Sequence, residues 1–341
     1  MIRVAIVGTG GIADACHMPA LAAQAHRAKV VAAVDVDPDR LKEFGTKHAV
    51  PALYTDLDDM LSTERPDLVH ICTPPFLHAV QVRKCLDAGA WVWCEKPLCL
   101  SLAEFDEMSG PNLSVVFQHR FGSAAQHLRS LMSEGTLGRP LVAVCNTTWF
   151  RTPAYFAVPW RARWDTEGGG PTMGHGIHQM DLMLSFLGEW EEVRAMAGRL
   201  DRDTETEDVS MAMVRFSNGA MASIVNSLLS PREESYLRFD FADATVELRH
   251  LYGYSNENWS STSPHWNPPE DVPSSHSAQL SDLLDAFERG EHPPVSGAEA
   301  RSTLELVAGI YASALTGTPV LRTELTPENP FYRRMNGGLA L

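Results

Sequence analysis

Two short stretches hold the side chains best suited to moving a proton. One is Glu95-Lys96-Pro97, which follows the apolar run Trp91–Cys94. A proline after Lys96 keeps that residue extended and stops the strand, which predicts an ammonium at the carboxyl edge of a sheet. Such a lysine can polarise a hydroxyl or carbonyl, and can release its proton where burial or a neighbouring cation lowers its pKa. It can equally be a surface lysine paired with Glu95. The other stretch runs Gly168-Gly169-Gly170-Pro171-Thr172-Met173-Gly174-His175-Gly176-Ile177-His178-Gln179-Met180-Asp181. His178 and Asp181 lie three apart and share one helix face, with His175 just ahead. Histidine titrates near neutral pH, which suits acid–base work. Histidines satisfied inside a core would leave the same pattern.

Two further stretches read as ligand-binding turns. In Thr73-Pro74-Pro75-Phe76-Leu77-His78 the prolines shape a rigid turn, and His78 starts the next helix, as a ligand contact or as a cap. In Ala5-Ile6-Val7-Gly8-Thr9-Gly10-Gly11-Ile12-Ala13 a buried strand meets a glycine turn and then a helix. Gly8 and Gly10 lack side chains that would hold the backbone away from a pyrophosphate, and the helix start offers free N–H groups to it. Ala13 is the third small position. The apolar run Val30–Val34 ends in Asp35, about 20 residues on, where a carboxylate can take a ribose 2′-hydroxyl. Together these predict a nucleotide-binding turn built from Gly8, Thr9, Gly10, Gly11, Ile12 and Asp35.

The elements that must position these groups alternate. Apolar runs at Val4–Val7, Val30–Val34, Leu68–Thr73, Trp91–Cys94 and Ser114–Phe117 are separated by helical patterns at Pro38–Lys47, Leu57–Ser62 and Leu77–Ala88. This predicts a parallel sheet with helices on both faces and ligands beyond the carboxyl ends of its strands. Past residue 120 the pattern changes. Strand-like segments at Pro140–Phe150, Glu192–Leu200, Val209–Phe216, Ala220–Ser227 and Ser235–Phe241 surround a helix over His178–Leu187, and Asn218-Gly219 signals a hairpin. A long loop over Ser255–Ser277 precedes helices near Ser277–Arg289 and Gly297–Leu315. The expected division is 1–119, a doubly wound α/β domain, and 120–341, an α+β domain with a large, mostly antiparallel sheet.

Composition sets the class. With 44% hydrophobic and 21% charged residues in 341, the chain is globular. A formal net charge of −15 argues against nucleic acid and against an anionic membrane surface as partners. No apolar run approaches the roughly 20 residues of a membrane span, and the start has no secretory pattern, so the expected location is cytoplasmic. Cys16, Cys72, Cys85, Cys94, Cys99 and Cys145 form no C-x-x-C pair and read as reduced core thiols. Cys94 and Cys99 lack the companions of a metal site, and no metal is expected.

Taken together, Gly8 to Ala13, Thr73-Pro74-Pro75 with His78, and Glu95-Lys96-Pro97 resemble, in order and spacing, the marks of the Gfo/Idh/MocA oxidoreductases, the glucose–fructose oxidoreductase and inositol dehydrogenase group. Gln118-His119-Arg120-Phe121 looks like that family's crossover into its second domain. Thr206-Glu207-Asp208 with Phe216-Ser217-Asn218-Gly219 looks like its later sheet, and Ile310-Tyr311-Ala312-Ser313-Ala314 like its last helix. The likeness runs from Ile2 to about Leu321.

The resemblance implies a Rossmann domain, then a domain whose open sheet often mediates dimers or tetramers. It implies a nicotinamide cofactor and a sugar, sugar derivative or cyclitol as substrate. Lys96 and His178 would be the catalytic lysine and histidine, with Thr73, Pro74, His78, Glu95, Lys96 and Arg120 near the cofactor. The family's aspartate four residues before the histidine falls on Gly174 here, so His175, Asp181 or Lys96 would take its part, or its loss is tolerated or alters activity. Arg161 and Trp164 are further candidate substrate contacts, and the aromatics of Asn146–Trp164 could stack on a sugar. Asp35 favours NAD, since its carboxylate repels a 2′-phosphate; Arg40 softens that preference toward NADP. The expected activity is hydride transfer between nicotinamide and a secondary alcohol or ketone. The alternatives are an enzyme with tightly bound NAD and no net redox, as in epimerisation or glycoside cleavage, and a non-catalytic nicotinamide sensor.

Overall fold

The computed structural model describes residues 1–108 and 110–341. They form two compact units: Met1–Cys99 with Phe105–Val116 and His276–Ala300, and Leu100–Glu104 with Phe117–Ser275 and Arg301–Leu341.

In the first unit, β1 (Ile2–Val7), β2 (Ala28–Val34), β3 (Ala52–Tyr54), β4 (Leu68–Ile71), β5 (Trp91–Cys94) and β6 (Leu113–Val115) make one sheet. Its order is β3-β2-β1-β4-β5-β6, and every pairing is parallel. Strands covered on both faces read as near-continuous apolar runs, as β5 does throughout and as β1 and β4 do apart from Arg3 and His70. Helices Pro38–His48, Leu57–Glu64 and Pro75–Asp87 return the chain. The first two are started by Asp37 and Asp56, whose carboxylates accept N–H groups two and three residues on. Strand order reverses between β1 and β4, which is where such sheets bind ligands.

The two units interleave along the chain, where the sequence suggests a single division at 119/120. The chain leaves the first unit after Val116 and re-enters it at His276. The reason is packing: Leu280, Leu283 and Leu284 of the helix His276–Arg289 join the core cluster of Ile2, Val4, Leu21 and Leu68.

The second unit holds β7 (Pro140–Phe150), β8 (Trp190–Gly198), β9 (Val209–Phe216), β10 (Met221–Ser227), β11 (Leu229–Phe241), β12 (Thr245–Arg249), β13 (Trp259–Ser261) and β14 (Val320–Leu321). Their order is β13-β12-β11-β7-β10-β9-β8-β14. All pairs are antiparallel except β10 on β7. The fold class is therefore the expected one, although β11 starts earlier than expected and β13 lies inside the segment read as loop. Buried residues alternate along β9 and β10 with Met211, Met213 and Met221, which are exposed. The helix Ile177–Leu187 is buried on nearly all sides, and its Phe186 meets Phe239 of β11 edge-on at 5.3 Å.

Candidate functional site

The carboxyl ends of β1 and β4 lie side by side, Val7 opposite Ile71. There the chain turns at Gly8 with φ of +88°. A Cβ on residue 8 would stand 2.9 Å from the carbonyl carbon of Cys72 and from the nitrogen of Thr73, so only glycine fits. At Gly10 and Gly11 a Cβ would meet nothing within 4 Å. This stretch presents bare backbone to open space, as a pyrophosphate requires. Ile12, next in the turn, is exposed.

Asp35 follows β2 and is buried, yet its carboxylate is fully engaged. Oδ2 accepts the Thr9 N–H at 2.8 Å and the Thr9 hydroxyl at 2.9 Å, and Oδ1 accepts the Asp37 N–H at 3.0 Å. Arg40 adds Nη2 at 2.6 Å from Oδ1 and Nε at 3.1 Å from Oδ2. Burial alone would raise the Asp35 pKa; Arg40 and the Asp37 and Thr9 donors overcome it and hold the group down at about 2. Asp35 therefore stands ionised at the end of β2, tied to the glycine turn by Thr9.

The two remaining motif turns of this unit are joined by one side chain. His78, in the first turn of the helix Pro75–Asp87, is fully buried. Its Nδ1 is 2.8 Å from the Pro97 carbonyl oxygen and its Nε2 is 2.7 Å from that of Thr73. Burial holds its pKa below the ordinary histidine value, against the two carbonyl oxygens, which favour the charged ring. Thr73 and Pro74 are half-buried in their turn, and the Thr73 hydroxyl donates to Gln81 Oε1 at 2.6 Å. Lys96 is half-buried, and its peptide bond to Pro97 is cis.

Glu95 turns inward. Its Oε1 accepts from His17 Nε2 at 3.1 Å and His276 Nε2 at 2.9 Å, and its Oε2 faces the Lys96 N–H at 3.2 Å. Burial would raise its pKa, but the two imidazoles hold it well below the usual carboxylate range. His17 Nδ1 in turn lies 3.1 Å from His70 Nδ1. Since His17 donates through Nε2, it accepts at Nδ1 from His70. Among the described residues, His17, Glu95 and His276 are the one group whose ligand atoms, all within 4.8 Å of one another, could hold a metal ion. Direct hydrogen bonds already account for their spacing, and Cys94 and Cys99, weighed from the sequence, are not among them.

In the second unit the residues of the histidine motif meet three sets of neighbours. Arg120 and Asp181, both buried, form a bidentate pair, with Nε to Oδ2 and Nη2 to Oδ1 each 2.7 Å, and the Thr303 hydroxyl donates to Oδ1 at 3.0 Å. His178 instead lies in an aromatic group: its ring centroid is 5.2 Å from that of His119, 5.9 Å from Tyr252 and 6.3 Å from Phe117. Tyr252 is 42% exposed, whereas His178, His119 and Phe117 are buried.

His175 belongs to the neighbouring polar cluster. Its Nε2 is 3.3 Å from the Tyr155 hydroxyl, to which Arg161 Nη1 also donates. The Arg161 guanidinium lies over the Tyr155 ring at 4.0 Å and the Trp160 ring at 4.5 Å, and its Nη1 is 3.3 Å from Glu167 Oε1. Trp164 is occupied otherwise: its Nε1 donates to the Glu205 carbonyl at 3.0 Å and its ring meets Tyr311. The sequence motifs pointed to neither Glu167 nor Tyr252, and drew Glu207 only as a mark of resemblance. Glu207 is buried and accepts the N–H groups of Gly170 at 3.0 Å and Thr172 at 3.1 Å and the Tyr311 hydroxyl at 2.9 Å. It thereby fixes the turn ahead of the histidines, and burial lifts its pKa to about 7.

Residues 2–110 match the family model described as an oxidoreductase family with an NAD-binding Rossmann fold, and residues 125–247 match the GFO/IDH/MocA C-terminal domain. D-glucoside 3-dehydrogenase of Escherichia coli is 27% identical over 94% of this chain and 97% of its own. D-xylose 1-dehydrogenase (NADP(+)) 2 of Haloferax volcanii is 28% identical over 92% and 98%. Among solved structures, the WlbA dehydrogenase of Bordetella pertussis, in complex with NADH and UDP-GlcNAcA, superposes with a TM-score of 0.83 at 26% identity, covering 94% of this chain and 98% of that one.

Proposed function

The chain belongs to the Gfo/Idh/MocA oxidoreductase family, and from that premise we propose that it is an NAD(P)-dependent dehydrogenase acting on a secondary alcohol, or the matching ketone, of a sugar, sugar derivative or cyclitol. The observation that carries this reading is the glycine turn after β1, bare at Gly10 and Gly11 and tied through Thr9 to an ionised Asp35. The named relatives act on glucosides and xylose, and the solved neighbour was crystallised with a nucleotide sugar.

Gly8 to Ile12 would receive the pyrophosphate on backbone N–H groups, and Asp35 the adenosine ribose. Thr73 and Pro74 would border the nicotinamide end, with His78 fixing their turn relative to Pro97. A bound nicotinamide supplies hydride transfer at its C4. Lys96 would hold the substrate oxygen and stabilise charge developing there. His178 would take the hydroxyl proton during oxidation and return it during reduction. We assign Arg120 and Asp181 a structural role, because each satisfies the other.

Val142, Met196, Met211, Met213 and Met221 are exposed on one face of the eight-stranded sheet, which supports a homodimer or homotetramer formed through that face. Six free cysteines support a reducing, cytoplasmic setting. No helix among the described residues is long and apolar enough to cross a membrane.

The test is turnover. The purified chain is assayed with NAD⁺ and with NADP⁺ against a panel of sugars and cyclitols, following reduced nicotinamide by absorbance. Oxidation of at least one compound is expected, with Lys96→Ala and His178→Ala each slowing it by about 10²–10⁴-fold. Reduced-cofactor binding without any net oxidation would overturn the reading in favour of tightly bound NAD with no net redox.

A further inference from the structure

Gly174 stands one helical turn before His178, where the family resemblance leads one to expect an aspartate. An ideal Cβ built there meets one atom within 4 Å, the Oε1 of Glu167 at 3.4 Å. The space beside residue 174 is thus bounded by a carboxylate that arrives from another part of the chain. Glu167 is buried. Its Oε2 accepts the Ala162 N–H at 2.5 Å, and Oε1 takes the Arg161 contact at 3.3 Å. Both oxygens are therefore held in place by the segment that precedes the π-helical turn Thr172–Gly176. Gly174 lies in that turn, and His178 in the first turn of the helix Ile177–Leu187 that continues it, so a carboxylate at the bare face of residue 174 stands four residues ahead of the histidine.

Resting on the dehydrogenase reading above, we propose that Glu167 supplies, across the bare face of Gly174, the carboxylate that positions and polarises His178. In the oxidative direction the substrate O–H bond breaks and an N–H bond forms on His178. The ring gains a positive charge, and a nearby fixed carboxylate favours that form. Glu167 is a positioning residue, since it acts through the histidine. Titratable or charged groups near it are Arg161, Tyr155 and His175; near His178 are His119 and Tyr252, with Asp181, paired to Arg120 of the Gln118–Phe121 turn, three residues further along the His178 helix. Gly174 is then a requirement of this arrangement. An aspartate there would crowd and repel the carboxylate already present.

The experiment is a swap of the carboxylate between the two positions, read in the oxidative direction with the sugar or cyclitol found by the substrate screen. Glu167→Gln, which keeps the size and the Ala162 contact, is expected to lower kcat about tenfold or more and to leave the KM for the nicotinamide cofactor unchanged. It should also move the acidic limb of the pH–rate profile down by about one unit, because the histidine loses its anion. Gly174→Asp alone should also be impaired. The double variant Glu167→Ala/Gly174→Asp should recover most of the lost rate and restore the limb. An NMR titration of the His178 ring gives the same comparison without turnover. A Glu167→Gln enzyme with wild-type kcat and pH profile, or a double variant no better than its worse parent, would overturn the inference. Failure of the wild type itself to turn over would instead remove the dehydrogenase reading, while the NMR titration would still decide whether Glu167 and His178 are coupled.

Discussion

Arg40 holds both oxygens of Asp35, with Nη2 2.6 Å from Oδ1 and Nε 3.1 Å from Oδ2. The carboxylate is buried and the guanidinium is 48% exposed, so the arginine is the partner free to move. A ribose hydroxyl reaching Asp35 competes with it, whereas a 2′-phosphate would find it a counterion. Arg40→Ala is therefore expected to tighten NADH several-fold and to weaken NADPH about tenfold, or ~1.4 kcal/mol. Calorimetric titration with each nucleotide checks this. Unchanged NADPH affinity would remove Arg40 from cofactor choice.

Two buried carboxylates should make stability depend on pH in opposite senses. Asp35 titrates at about 2 in the fold against an ordinary 3.8. The unfolded chain binds more protons between those values, so the contribution of Asp35 is present above about 4 and is lost as pH falls toward 2. Glu207 titrates at about 7 against 4.5. The folded chain holds that proton longer, so its contribution is present below 4.5 and is lost as pH rises through 7. Urea unfolding as a function of pH should show a decline between pH 4.5 and 7 that Glu207→Gln flattens. An identical slope in that variant would assign the decline to other groups.

Asp181→Asn would leave the buried Arg120 guanidinium without its anion. Removing one member of a buried pair costs about 3–5 kcal/mol, so a large fall in the urea midpoint is expected. If the variant instead keeps wild-type stability and loses only turnover, Asp181 belongs to the chemistry and its structural assignment fails.

The exposed methionine face gives a separate prediction. Met213 and Met221 lie on adjacent strands, β9 and β10, on the face where Met211 is also open. A glutamate at Met213 would place charge in an apolar contact. Sedimentation velocity should show an oligomer for the native chain and a smaller species for Met213→Glu, with the monomer still folded. A native chain that sediments as a monomer at micromolar concentration would rule out assembly through this face.

Much of the first unit was legible because fully buried parallel strands announce themselves as apolar runs and Gly8 has no substitute at its φ and spacing. The three-residue strand Ala52–Tyr54 carries too few residues to show a period. The return of His276–Arg289 to the first unit was not legible either, since an amphipathic helix shows that it packs, but not on which core. Asp181 was drawn toward the site by its spacing from His178. The helix is buried on nearly all sides, so spacing alone could not show that Asp181 pairs with Arg120. Glu167 carried no motif at all. Its relation to Gly174 depends on the path of the irregular segment between Ala162 and Gly170, and spacing cannot report that.

Every role assigned above requires this chain to hold a nicotinamide nucleotide on the turn between β1 and Asp35. The most direct measurement is calorimetric titration of the purified chain with NADH and, separately, with NADPH, after confirming by absorbance of the denatured supernatant that no nucleotide copurifies. Saturable binding at one site per chain is expected, tighter for NADH, with Asp35→Ala weakening it by about tenfold. Binding of neither nucleotide by chain shown to be free of cofactor would contradict it.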